Sequence, residues 1–179
     1  MSAPDPVDEY GLTAQEREWI EVPDGATVEK SVTPEGAPQV TVSSVMAADD
    51  PRNQPVEKKT VTTALDGTVT IVEPLAAGCT RTASINRPAI SNRTLPVTAT
   101  LSVSTGCSSQ YFTAEGWAPD WTGIETKLVS AQAFVSPGNS TTVSTSYACG
   151  EDFRYWTNRN RATNTGAELA TSARVWLRC

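Results

Sequence analysis

The fold class this sequence predicts is all-β: a disulfide-bridged antiparallel β-sandwich preceded by an extended N-terminal arm with one short helix. Three observations predict it. Beyond about residue 60, apolar and polar residues alternate with a period of two in short runs broken by Gly, Pro and Asn, the pattern of half-buried strands. Charged residues make up only 19% and hydrophobic residues 39% of the chain, and much of the rest is Thr, Ser, Ala, Gly and Pro. That composition suits strands and turns better than a helical bundle. Finally, Cys79, Cys107, Cys149 and Cys179 all lie beyond residue 78, the last of them at the end of the chain. The expected division is an arm over residues 1–56 and a sandwich over residues 57–179.

Residues 1–10 are rich in Pro and Asp and are expected to be disordered when alone. Thr13, followed by Glu16 three residues later, reads as a capping box, so a short helix is expected near residues 13–20. Glu16 and Glu18 suit its first turns, and Leu12, Trp19 and Ile20 give it a small apolar face. Such a helix is too short to persist alone in water. It either folds onto its own domain or becomes ordered on a partner. Pro23-Asp24-Gly25 and Pro34-Glu35-Gly36 are turn tripeptides. Val40–Met46 reads as an edge strand and Asp49–Pro55 as a linker.

Thr60–Leu65 and Thr68–Val72 flank Asp66-Gly67, a hairpin signature expected to adopt a type I′ turn. From Leu95 to Ser104, Val97, Ala99, Leu101 and Val103 fall on one face, and Thr98, Thr100, Ser102 and Ser104 on the other. Tyr111–Ala118, Thr126–Val135 and Thr141–Cys149 continue the series, with Ser136-Pro137-Gly138-Asn139 as a turn. Ala170–Cys179 closes it, placing Ala173, Val175 and Leu177 opposite Arg174, Trp176 and Arg178. No repeat of fixed period is visible. Asn92-Arg93-Thr94 and Asn139-Ser140-Thr141 match the N-glycosylation pattern.

Four cysteines allow three pairings. The sequential one, Cys79–Cys107 with Cys149–Cys179, is expected, and each bridge would contribute on the order of 3.5 kcal/mol by closing a loop of about 30 residues. An even count with no Cys-x-x-Cys pair fits an oxidising compartment, so the protein is expected to be secreted. Met1–Pro6 lacks the basic and apolar regions of a leader, which leaves a removed leader or a cytosolic protein, and cysteine usage favours the former. Residues 1–60 carry 12 acidic and 5 basic side chains, a net of −7; residues 61–179 carry 8 and 9, a net of +1. No basic stripe suits nucleic acid, and no apolar run is long enough to span a membrane.

The chain has no histidine. The usual general base near neutral pH and every Ser–His or Cys–His nucleophile are therefore missing, and bridged cysteines offer no thiolate. Glycoside hydrolysis by two carboxylates is the remaining chemistry. Glu73, Glu115, Asp120, Glu125, Glu151, Asp152 and Glu168 are its candidates, but most sit beside predicted turns, where solvated acids are ordinary. A non-enzymatic protein without metal or cofactor is expected, and a small-molecule ligand is not. Trp117 and Trp121 flank a Pro-Asp turn and could make a glycan-stacking platform; the competing role is core packing. Arg154, Tyr155, Trp156, Arg159 and Arg161 mix the residue types of protein–protein hot spots; the competing role is a solvated loop with an aromatic turned inward.

The Thr/Ala/Arg-rich composition, the two-bridge β domain and the terminal Arg178-Cys179 look like small secreted proteins of actinobacteria, and Streptomyces-type amylase inhibitors share the general style. In layout, an arm over 1–60 and a cystine-bridged β domain over 61–179, the chain is similar to the adaptor subunit of the secreted umbrella toxin particles of Streptomyces. In that family the adaptor joins a repeat-containing toxin subunit to a lectin subunit, and its N-terminal extension inserts into the lectin. The likeness implies a secreted adaptor whose β domain holds one protein and whose arm, anchored by Leu12, Trp19 and Ile20, holds another. No residue role is carried over by alignment. Alternatives are a lectin-like carbohydrate-binding module and an inhibitor of a secreted hydrolase.

Overall fold

The computed structural model describes residues 3–20, 22, 24–45, 56–75 and 78–179; the side chains of Gln15, Glu18, Trp19, Ser44, Val45 and residues 56–58 lie outside that description. One helix, α1 (Ala14–Trp19), precedes twelve strands: β1 (Thr27–Val32), β2 (Pro38–Val45), β3 (Val56–Thr63), β4 (Val69–Leu75), β5 (Cys79–Ile85), β6 (Thr94–Val103), β7 (Gln110–Pro119), β8 (Glu125–Val135), β9 (Ser140–Ala148), β10 (Phe153–Ala162), β11 (Glu168–Thr171) and β12 (Val175–Arg178). They form a seven-stranded sheet in the order β1-β2-β3-β4-β5-β6-β9 and a five-stranded one in the order β11-β10-β7-β8, in which β12 also pairs with β10.

The two sheets share one apolar core. Ile71, Ile85, Val97 and Leu101 from the first meet Phe112, Val135, Ala162 and Leu169 from the second. The alternation read over Leu95–Ser104 is that of β6, where Val97, Ala99, Leu101 and Val103 are buried and the intervening side chains are not. Gly116 lies on the inner side of β7, where a Cβ would meet Val129 Cγ1 at 2.9 Å and Val97 Cγ2 at 3.2 Å, so only hydrogen fits between the layers.

The N-terminal region is not the extended arm expected from the sequence. β1 and β2 form a hairpin, and β2 pairs with β3 along its whole length, so Val40 and its neighbours belong to an inner strand rather than an edge. Leu12 and Ile20 are 1% and 2% exposed and lie in the same core as Val40 and Val42. The cause is a difference in sheet width. Seven strands spaced at about 4.8 Å reach well beyond the second sheet, whose contacts fall on β4, β5, β6 and β9. The segment around α1 covers apolar surface left over on β1–β3. The capping box is present, with the Thr13 N–H donating to Glu16 Oε2 and the Glu16 N–H to Thr13 Oγ1. Lys30 Nζ on β1 holds the segment down, donating to the Gly11 carbonyl at 3.1 Å and pairing with Glu16 at 3.1 Å.

Three hairpins are built alike. In each, a glycine N–H bonds the carbonyl three residues back, and one further pair closes the ladder: Thr33–Ala37, Ala64–Thr68 and Asp120–Ile124. In the Asp66-Gly67 turn only Gly67 has positive φ (86°). This is a three-residue loop with a glycine bulge, not the two-residue type I′ turn expected; the latter needs positive φ at both central positions.

The disulfides pair sequentially, Cys79–Cys107 and Cys149–Cys179, with Cα separations of 4.6 and 4.4 Å. The second joins the end of β9, in the seven-stranded sheet, to the end of β12, beside the five-stranded one. Between the sheets Asn160, fully buried, donates to the carbonyls of Ser84 (3.2 Å) and Thr100 (3.0 Å). Asn158 donates to the Asn86 carbonyl at 3.1 Å. The closing strand expected over 170–179 is two short strands, interrupted where Ser172 Oγ accepts the Asn158 N–H and takes the place of a ladder bond.

Candidate binding face

The Phe153–Arg161 cluster is not a loop but strand β10, and strand geometry divides its side chains between two faces. Trp156, Asn158, Asn160 and Ala162 point into the molecule. Phe153, Tyr155, Thr157, Arg159 and Arg161 form the outward column. The register sets Tyr155 beside Trp176 and Phe153 beside Arg178 on β12, and Thr157 beside Trp117 on β7. A continuous aromatic–arginine surface results on the outer face of the five-stranded sheet.

At one end Phe153 and Trp176 are stacked with centroids 6.0 Å apart, and Tyr155 meets Trp176 edge-on at 4.7 Å. Arg174 lies over Tyr155 at 4.6 Å and Arg178 over Phe153 at 5.6 Å. Across from these rings Trp121, 95% exposed, projects from the β7–β8 turn. Between them is a cleft of about 360 Å³ whose rim carries Asp120, Asp152 and Arg154. Three hydrogen bonds received from Thr122 and Ile124 fix the Asp120 carboxylate in its own turn. Those bonds, led by the Thr122 hydroxyl, hold it below its ordinary titration range despite some opposing desolvation.

Further along the face Trp117 lies beneath Arg159 at 4.5 Å and beside Arg161 at 5.5 Å. Its indole N–H donates to Glu115 Oε2 at 2.8 Å. Glu115 is only 4% exposed and also accepts from Thr113 and Arg161. Beside this group a second cleft, of about 220 Å³, is lined by Glu125, Thr157, Arg159, Glu168 and Arg174, with Thr171 and Ser172 at its side.

The structure thus brings Trp121, Arg154 and Tyr155 to one cleft and sets Arg159 and Arg161 around Trp117. Trp117 is pinned by its neighbours and is not a free stacking platform. Three of the proposed partner-binding residues need correction. Trp156 is 3% exposed and packs on Tyr147 at 5.2 Å, on the opposite side of β10 from Tyr155. Leu12 and Ile20 are core residues and present no anchor to a partner. The Trp19 side chain lies outside the described residues. Trp176, Arg174 and Arg178 are additional members of the face. The signal for them was the alternation along 173–178, which already sets these three on one side.

Among the acids considered for hydrolysis, Glu73, Glu115, Asp120 and Glu168 are tied into structural hydrogen bonds. Glu73 receives a 2.7 Å hydrogen bond from Arg81 and lies 3.2 Å from Lys59. Burial by itself would raise its carboxyl, but the Arg81 hydrogen bond and the two cationic charges outweigh this and leave it below its ordinary value of 4.5. Glu168 accepts from Thr171 and pairs with Arg159. Among the described residues no group of three His, Cys, Asp or Glu side chains is placed to hold a metal ion. No helix among them is long and apolar enough to cross a membrane. Two disulfides are consistent with an extracellular protein. Comparison with protein-family models, with curated proteins and with solved structures finds no match.

Proposed function

We propose that this protein is a secreted, non-enzymatic β-sandwich that docks another secreted protein through the outer face of its five-stranded sheet, as a component of an extracellular complex. One observation carries the reading: Trp121, Phe153, Tyr155 and Trp176 are 95%, 57%, 45% and 54% exposed around a single cleft, with Arg154, Arg174 and Arg178 among them. Soluble proteins rarely leave such a cluster in water without a use for it. Trp, Tyr and Arg are also the residues that dominate binding energy in protein interfaces. The commitment of Glu73, Glu115, Asp120 and Glu168 to structural bonds supports a non-catalytic role. An adaptor needs a second surface. The N-terminal segment does not offer one through Leu12 and Ile20, so the likeness to toxin-particle adaptors loses the free arm on which it rests.

The test is capture from the source organism's culture fluid with the tagged protein. The native chain recovers a stoichiometric partner, Trp176→Ala loses it, and Leu65→Ala, at an exposed hairpin tip remote from this face, keeps it. Equal recovery by all three overturns the reading. A carbohydrate-binding module is the second reading, favoured by the 95% exposure of Trp121 beside Asp120 and Asp152.

A further inference from the structure

We propose that the polar cleft bounded by Glu125, Thr157, Arg159, Glu168 and Arg174 is a saccharide-binding subsite, and that the aromatic cleft beside it takes the next units of the same glycan chain. The two clefts abut: Tyr155 lines the aromatic one and Thr157 the polar one, and they are successive outward residues of β10, while Arg174 lines the polar cleft and lies over Tyr155. At about 220 Å³ the polar cleft has room for roughly seven water-sized volumes, more than a bridging water needs.

Two of the residues that line it each keep a buried polar atom unpaired, one an acceptor and one a donor. Glu125 Oε2 and Arg159 Nε are buried atoms with no hydrogen-bond partner. Leaving such groups unpaired costs about 1–3 kcal/mol each, and native structures keep few of them. The neighbouring ion pairs do not remedy this. Arg159 to Glu168 is 3.4 Å and Arg174 to Glu125 is 3.7 Å, both longer than good hydrogen bonds. A small rotation of either side chain toward a ligand therefore gives up no short bond.

The charges select the ligand's chemistry. Two arginines and two glutamates balance. An anionic ligand would meet Glu125 and Glu168, and a cationic one would meet Arg159 and Arg174. A sugar hydroxyl both donates and accepts, so neighbouring hydroxyls on one ring can serve Glu125 and Arg159 together. The exposed rings of Trp121, Tyr155 and Trp176 then offer apolar faces to the C–H faces of adjoining units, and Asp152 and Arg154 offer polar edges. An elongated pair of open clefts suits a chain of sugar units better than one free amino acid, the other ligand able to satisfy both signs.

The inference is separable from protein docking through Glu125, which lines the polar cleft alone, whereas Trp176 lines the aromatic cleft that both readings use. The experiment is ¹⁵N NMR of the Arg159 Nε–H and Trp121 indole N–H during titration with cello-, chito-, xylo- and malto-oligosaccharides, with free amino acids run alongside. At least one oligosaccharide is expected to move both resonances saturably. Glu125→Ala and Arg174→Gln, each with an unchanged near-ultraviolet spectrum, are each expected to weaken it about tenfold or more, or about 1.4 kcal/mol. Saturable shifts with amino acids alone, no saturable shift with any oligosaccharide, or saccharide binding indifferent to both substitutions would overturn the assignment.

Discussion

The outer faces of the two sheets are built from different side chains. On the seven-stranded sheet the register lines up Thr142, Thr100, Ser84, Thr70 and Thr62 across five consecutive strands. Their hydroxyls largely serve one another where β6 meets β9: Thr100 and Thr142 are 2.8 Å apart, Ser102 and Ser140 2.7 Å, Thr98 and Ser144 3.0 Å. Short β-branched and hydroxyl side chains favour the pleated conformation and stay wet. The five-stranded sheet instead carries large rings and arginines, and two residues lining the cleft beside them, Glu125 and Arg159, keep a buried polar atom unpaired. One face pairs several of its hydroxyls with one another; the other leaves large aromatic rings exposed. That contrast is the ground on which we propose a binding role for the five-stranded sheet.

The sharpest way to break the comparison is within β10, where adjacent residues belong to opposite worlds. Trp156→Ala removes a buried ring and is expected to destabilise by about 3–5 kcal/mol, whereas Tyr155→Ala, measured in the same urea titration, is expected to cost far less. Similar losses for the two would mean that the outward column is structural. Cutting the Cys149–Cys179 bridge with a double serine substitution comes next, at about 3.5 kcal/mol, because it releases the suture between the sheets. Gly116→Ala, which forces a methyl between Val129 and Val97, is expected to cost about 1–3 kcal/mol.

Much of this arrangement was legible in the sequence. β6 alternated cleanly because one of its faces is apolar and the other polar, and the cysteine spacing indicated the pairing found. β10 was misread for a physical reason: its buried side is largely polar, with Asn158 and Asn160 spanning the layers, while its exposed side carries Phe153 and Tyr155. The usual apolar-in pattern is inverted, and Trp156, on the inner side, could not be told from its aromatic neighbours. The N-terminal region was misread because β1 is an edge strand with mostly exposed side chains. Edge strands carry charge to discourage further pairing, and with Glu29 and Lys30 in it this stretch lacks the apolar alternation that marks a strand paired into a sheet.

Smaller effects sharpen the contrast. On the hydroxyl face, Thr142→Val is expected to change stability by no more than about 0.5 kcal/mol and to leave every binding assay unaltered; a large effect in either would show that this face has a role of its own. Acid should reveal the Glu73 cluster. Its carboxyl titrates below the ordinary value of 4.5 when folded, so its contribution is fully present above that value and fades as pH falls through the lowered one. Urea midpoints measured across that window are expected to fall more for the native chain than for Glu73→Gln; parallel curves would remove the effect.

The central claim, that binding resides on the aromatic–arginine face, is tested most directly by comparing Trp176→Ala with Thr142→Val in partner capture from the source culture fluid. Loss of the partner with the first, at unchanged fold, and its full recovery with the second is the predicted result. Recovery by Trp176→Ala together with loss by Thr142→Val would place the binding surface on the other sheet and contradict the account.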